Sequence, residues 1–203
     1  MPEIADELLA LKLDVIVTTC TPSTRLMHSK TQSTPLVMAA VSDPVGQKLI
    51  ANYARPGGNI TGLATQFEDI AGKMLELFRE AVPMAAHVAV LFNATNPVHT
   101  IFLRELQGAA APAQAKISPV AITVRTDLTK TFDDMVARGV VGVLALPDDP
   151  MLTNRRRAVI EMASKHRMPS FFGMAEAVDE GGLMSYGEDF GKTYFHAARY
   201  VDQ

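Results

Sequence analysis

Four times in this chain an apolar, largely β-branched run gives way to a short polar step that ends in or soon meets proline. Leaving 14–20 (DVIVTTC) the sequence reads Thr21-Pro22-Ser23-Thr24, and leaving 35–41 (PLVMAAV) it reads Ser42-Asp43-Pro44. Leaving 87–93 (HVAVLFN) it reads Thr95-Asn96-Pro97, and leaving 141–146 (VGVLAL) it reads Asp148-Asp149-Pro150. Proline suits the first helical position because its missing N–H would have had no partner there, and Thr, Asp or Asn just before it caps the free amides. Each step therefore reads as a strand running directly into a helix. Unbroken apolar runs of this length mark strands covered on both faces.

The rest of the chain keeps the same alternation. Ile4, Leu8 and Leu11 lie on one helical face, residues 22–32 read as a second helix, and 44–54 as a short third one. Thr65 and Glu68 form a capping-box pattern ahead of Ile70, Met74, Leu77 and Phe78. Helices follow at 98–111, at Leu128, Phe132, Met135 and Val136, at 151–166 and at Phe190, Tyr194, Ala198 and Val201. Strands fall at 120–124, 169–172 and 183–186. Strands and helices alternating at this spacing give parallel sheets with right-handed crossovers, so the fold class is α/β.

Two double glycines interrupt the pattern. In YARPGGNITG (53–62) the step Pro56-Gly57-Gly58 ends a helix and turns the chain, and Glu180-Gly181-Gly182 does so again near the end. We read both as crossovers between two sheets. Residues 1–61 and 182–203 then form one lobe, with the last strand and helix returning to the first sheet, and 62–181 form the other. An ordinary helix end and loop at each site is the simpler alternative.

In parallel sheets the helix starts gather at the carboxyl ends of the strands, where open α/β folds take their ligands. Their free N–H groups and partial positive charge suit a carboxylate, and Asp43, Asp148 and Asp189 could supply the opposite charge. A crevice holding both fits a zwitterion such as an amino acid. Any single Asx or Thr there could equally do no more than cap its helix.

Other chemistries find little support. The 203 residues carry a formal net charge of −3, which gives no electrostatic reason to expect a nucleic-acid partner. The basic run Arg155-Arg156-Arg157 reads as a solvated helix face. The lone Cys20 excludes an internal disulfide and a multi-cysteine zinc cluster, and although it sits at a strand end before a helix, no pattern supplies it with a base. His87, His99, His166 and His196 lack close metal-ligand spacing, and neither a Walker A sequence nor a GxGxxG follows a strand. Cofactors are therefore not expected. Asn59-Ile60-Thr61 formally matches a glycosylation acceptor but reads better as a turn and strand start. The opening Met-Pro-Glu-Ile-Ala-Asp-Glu has neither the basic nor the apolar region of a secretory signal.

The segments SDPV, RPGGNITGL, LFNATNP, LPDDP and GGLMSYGEDF, in that order, resemble the tryptophan/tyrosine-binding-like family of ABC-transporter periplasmic substrate-binding proteins. The resemblance spans essentially all 203 residues. It implies a type I periplasmic-binding architecture: two flavodoxin-like lobes with parallel sheets, joined by hinge strands, that close on a small ligand in the cleft between them. It also implies a membrane permease as partner and a periplasmic location. The ligand-facing positions it implies are Thr21, Ser23, Thr24, Ser42 and Asp43 in the first lobe. Asn93, Thr95, Asn96, Asp148, Gly173 and Glu176 belong to the second, and Tyr186 and Asp189 to the returning segment, with Tyr186 or Phe172 as an aromatic wall.

Against that pattern the chain looks truncated at both ends. Its first lobe is expected to be incomplete, and a homo-oligomer is one way to cover the exposed side. An effector-binding sensor domain of the same fold, or a small α/β enzyme using Cys20, are the competing readings.

Overall fold

The computed structural model describes residues 2–65 and 70–202, and the chain divides into two units, Met1–Gln66 with Asp189–Gln203, and Phe67–Glu188. Glu68 of the expected capping box lies outside the described residues.

The first unit is built from α1 (Pro2–Ala10), β1 (Ile16–Thr18), α2 (Thr21–Lys30), β2 (Leu36–Ser42) and β3 (Ile60–Thr65), closed by the last helix, α8 (Phe190–Val201). Its three strands pair in parallel in the order β1-β2-β3. The period of two along β2 explains the layering. Leu36 and Met38 join Met27, Ile16, Ala5 and Ile60 in a core that includes Leu8 and Leu26 of α1 and α2. Val37 and Ala39 point the other way and pack on Ala197 and Tyr200 of α8. With helices on both faces, every residue of β2 is buried, as its unbroken apolar run requires.

The second unit holds β4 (His87–Phe92), β5 (Lys116–Ala121), β6 (Gly142–Ala145), β7 (Ser170–Phe172) and β8 (Met184–Ser185). All are parallel, in the order β5-β4-β6-β7-β8. The helices are α3 (Ala71–Ala81), α4 (Pro97–Ala110), α5 (Leu128–Ala137), α6 (Pro150–Lys165) and the short α7 (Glu176–Asp179). Phe78, Phe102, Phe132 and Phe171 are fully buried, and the rings of Phe78 and Phe171 lie 5.6 Å apart. The chain goes from β4 outward to β5, then back past β4 to β6. The strand order therefore reverses between β4 and β6, and this is the topological switch point of the sheet.

Four local expectations are corrected. Residues 44–54 are turns rather than a helix: Gln47 N–H donates to the Asp43 carbonyl and Lys48 N–H to that of Val45, but Lys48 itself has φ 57° and stops the winding. Leu49 and Ile50 still enter the first core, so the apolar periodicity there reported burial and not helix. The glycine break at 57–58 does not leave the first sheet. It leads into β3, which pairs with β2, and Asn59 serves this turn by donating to the carbonyls of Thr31 (3.2 Å) and Thr34 (2.8 Å).

The strand expected at 120–124 is β5, four residues earlier. Lys116, Ser118 and Pro119 disguise it, as polar residues and proline do on an edge strand. The strand expected to rejoin the first sheet at 183–186 is β8, and it pairs with β7 of the second sheet, so only α8 returns. Gly182 permits this, because a Cβ there would stand 2.9 Å from the Phe172 ring.

Candidate functional site

In the first unit the polar residues singled out at the strand ends form two small hydroxyl clusters. Cys20 holds the N-cap position of α2, and Pro22 falls in the first turn. The Thr24 hydroxyl lies 2.7 Å from that of Thr18 and 2.9 Å from the Cys20 carbonyl. The Ser23 hydroxyl sits 3.1 Å from the same carbonyl and 3.0 Å from Cys20 Sγ. Thr21 Oγ1 accepts the Ser42 N–H at 3.1 Å, and Ser42 Oγ stands 2.9 Å from Thr65 Oγ1. Thr21, Ser42 and Thr65 thus link the carboxyl ends of β1, β2 and β3 through buried hydroxyls. The sequence marks Thr65 as a helix cap and not as part of this cluster, whereas it ends β3. Asp43 follows at φ 43°, and its carboxylate accepts the Gly46 N–H at 2.8 Å.

In the second unit the switch point carries a denser network. Asn96 caps α4 by accepting the Val98 N–H at 3.1 Å, and its Nδ2 donates to the Asp148 carbonyl at 2.7 Å. Asp149 caps α6 by accepting from the N–H groups of Met151 (3.0 Å) and Leu152 (3.1 Å). Asn93 Nδ2 donates to Asp149 Oδ2 at 2.8 Å, while Asn93 Oδ1 accepts from the Thr95 N–H and hydroxyl at 3.0 and 2.8 Å. Asp148 is buried at φ 60°, a left-handed conformation that Asp tolerates better than most residues. Asn93, Thr95, Asn96 and Asp148 therefore do converge. Asp149 and His99, which sequence reasoning passed over for this site, are the groups that tie them together.

His99 is fully buried on the first turn of α4. Its Nδ1 accepts the Asn93 N–H at 2.9 Å and its Nε2–H donates to the Pro147 carbonyl at 2.8 Å. Burial pushes its pKa below the ordinary imidazole value, outweighing the favourable pull of the Asp149 carboxylate.

Gly173 packs against the same turn, since a Cβ there would lie 2.6 Å from Pro147 Cβ. Beside it a cavity of about 20 Å³, room for a single water, is lined by Pro147, Arg156, Phe172 and Gly173. Glu176 at the start of α7 and Tyr186 are exposed and stand outside the network. Asp189, in the first unit, caps α8 by accepting the Lys192 N–H at 3.0 Å, with Lys192 Nζ 3.1 Å from its other oxygen. The capping N–H and this ammonium hold its carboxyl below the usual carboxylate range.

The basic run is only partly a solvated face: Arg157 is exposed, while Arg155 and Arg156 are half-buried. Arg155 donates to the carbonyls of Thr123 and Thr126, while Arg156 and Arg157 reach Glu180 at 2.6 and 3.1 Å. Together they brace the loops after β5 and α7. Among the described residues no group of three or more His, Cys, Asp or Glu side chains is arranged to hold a metal ion, and no helix is long and apolar enough to cross a membrane.

Two α/β units with parallel sheets and polar helix caps at the strand ends match the type I periplasmic-binding architecture. Residues 2–203 match the family model described as ABC transporter substrate binding protein, and the chain belongs to that family.

It is 26% identical over 194 residues to a tyrosine-binding protein of Clostridioides difficile, an alignment covering 96% of this chain and 55% of that protein. A conserved domain protein of Vibrio cholerae superposes with a TM-score of 0.87 at 26% identity, covering 99% of this chain and 67% of that one. An ABC domain from Streptococcus pneumonia in complex with L-Trp gives a TM-score of 0.87 at 22% identity, covering all of this chain and 69% of that one. The chain thus spans about half the length of the curated relative it matches and about two thirds of the solved ones.

Proposed function

We propose that this chain is the ligand-binding portion of a periplasmic solute-binding protein that serves an ABC import system, and that it binds an aromatic amino acid or a molecule of that chemistry. Its partner is then a membrane permease, to which it delivers the ligand unchanged. The observation that carries this reading is the convergence of capped helix starts and buried Asn, Asp and hydroxyl groups at the carboxyl ends of parallel strands, densest at the β4–β6 switch point. That is where an open α/β sheet leaves room for a ligand. The Trp- and Tyr-binding relatives supply the ligand class.

In this reading Thr21, Ser23, Thr24, Ser42 and Asp43 are the ligand-facing positions of the first unit. Asn93, Thr95, Asn96, Asp148 and Gly173 are those of the second. Glu176 and Asp189 add charge near the ligand, and Tyr186 supplies an aromatic surface.

The test is a thermal-shift screen of the 203-residue chain against the twenty amino acids, followed by calorimetry. Stabilisation by L-tryptophan, L-tyrosine or L-phenylalanine, and not by L-alanine or L-lysine, is the expected result. No stabilisation by any amino acid refutes the ligand class.

A further inference from the structure

We propose that His99 is a positioning residue for ligand binding: a neutral imidazole, fixed in one tautomer, that clips the turn after β4 to the turn after β6. This rests on the reading of those turns as ligand-facing.

The geometry leaves the ring one protonation state. The Asn93 backbone N–H can only donate, so Nδ1 must carry a lone pair, and the Pro147 carbonyl can only accept, so Nε2 must carry the proton. With both partners in backbone and the ring fully buried, no rotation or water restores either bond if one fails.

The two turns that the ring joins are those in which Asn93 reaches Asp149 and Asn96 reaches the Asp148 carbonyl. His99 therefore completes a bracket across the switch point. Its backbone bonds set where Asn93 and Pro147 stand, and their side-chain neighbours cap α4 and α6. Burial lowers the ring's affinity for a proton and prevails over the Pro147 carbonyl and Asp149, the charged group that acts on the ring, both of which favour protonation. A proton added at Nδ1 would set N–H against N–H and open the bracket.

Two measurements on the wild-type chain test this. Histidine-selective 15N–1H NMR should show His99 as the Nε2–H tautomer at pH 7.5, with a midpoint below that of free histidine and the Asn93 amide resonance moving with it. Calorimetry with L-tyrosine and L-tryptophan, from pH 8 down to one unit below the midpoint found by NMR, should show affinity falling about tenfold per pH unit below that midpoint. H99N, which keeps an acceptor near Asn93, should bind with a flat pH profile, closer to wild type than H99A.

An Nδ1–H tautomer, a charged ring at pH 7.5, or a midpoint at the free value with an unmoved Asn93 amide overturns the clip. Wild-type affinity that is constant through the His99 midpoint overturns the positioning role even if the clip exists. Absence of binding at every pH with the NMR signature intact overturns the ligand reading and, with it, the positioning role.

Discussion

Gly62 is a residue at which this backbone tolerates no side chain. It sits at φ 126° opposite Met38, and a Cβ there would fall 2.1 Å from the Met38 carbonyl oxygen, beside the register shift that follows Met38 in β2. Because the obstacle is backbone, it cannot swing aside. Gly62→Ala should cost about 3 kcal/mol in urea denaturation, from strain and overpacking together. Gly58→Ala, with nothing within 4 Å of the added carbon, should stay within about 0.5 kcal/mol of wild type.

Of the double glycine that catches the eye in the sequence, position 58 is tolerant, while Gly57 at φ 81° is held by its backbone conformation. Composition cannot rank these glycines, because the ranking depends on a strand 24 residues away.

Two histidines should give the stability opposite pH signs. His99, whose folded pKa is lowered by burial, is neutral when folded and gains a proton on unfolding below the ordinary value near 6.5. Its contribution is complete above that pH and is lost as the pH falls toward the folded value. His166 accepts the reverse treatment: its hydrogen bond to Asp133 raises its pKa, so its contribution is present below about 6.5 and fades as the pH rises through the folded value. Asp133→Asn should remove only the second effect. Comparing denaturation midpoints of wild type and D133N from pH 5 to 8 should show the two curves converge at the alkaline end, and a constant gap would rule this out.

At the scale of elements, the four strand-to-helix steps explain most of what could be read. Three of the four proline steps do start helices, at α2, α4 and α6, and the caps at Asn96 and Asp149 are seen doing what their residue types foretell. The fourth, at Asp43-Pro44, begins a single turn that Lys48 ends, which neither the cap nor the apolar spacing discloses.

Replacing Asn96 or Asp149 by Ala removes helix-cap acceptors and breaks the Asn93–Asp149 or Asn96–Asp148 link. Each should cost about 1–2 kcal/mol and weaken ligand binding as well. N96D would separate the two effects, since it keeps a capping acceptor for Val98 but cannot donate to the Asp148 carbonyl. Its helix should survive while the bracket loosens. Equal ligand affinity in N96D and wild type would show that the link does not serve the site.

At the scale of the whole molecule, a ligand that binds only the folded form stabilises it by about 2.7 kcal/mol at 100 times its dissociation constant. For a chain of this length that is a rise of roughly 5–10 °C in melting temperature, well within reach of the thermal-shift screen. The screen also tests whether these 203 residues, which span about half the length of the curated relative, carry the binding function by themselves.

The sequence alone determined the α/β class, the parallel strands and three of the four proline-marked helix starts, because each follows from local rules: a buried run, a cap and a proline within a few residues. Only the tertiary structure decided which sheet receives β3 and β8, which glycines are indispensable, and that His99 and Asp149 bind the strand-end turns together. Those outcomes arise from contacts between residues far apart in the chain, where hydrogen-bond direction and atomic overlap, rather than residue type, select the answer.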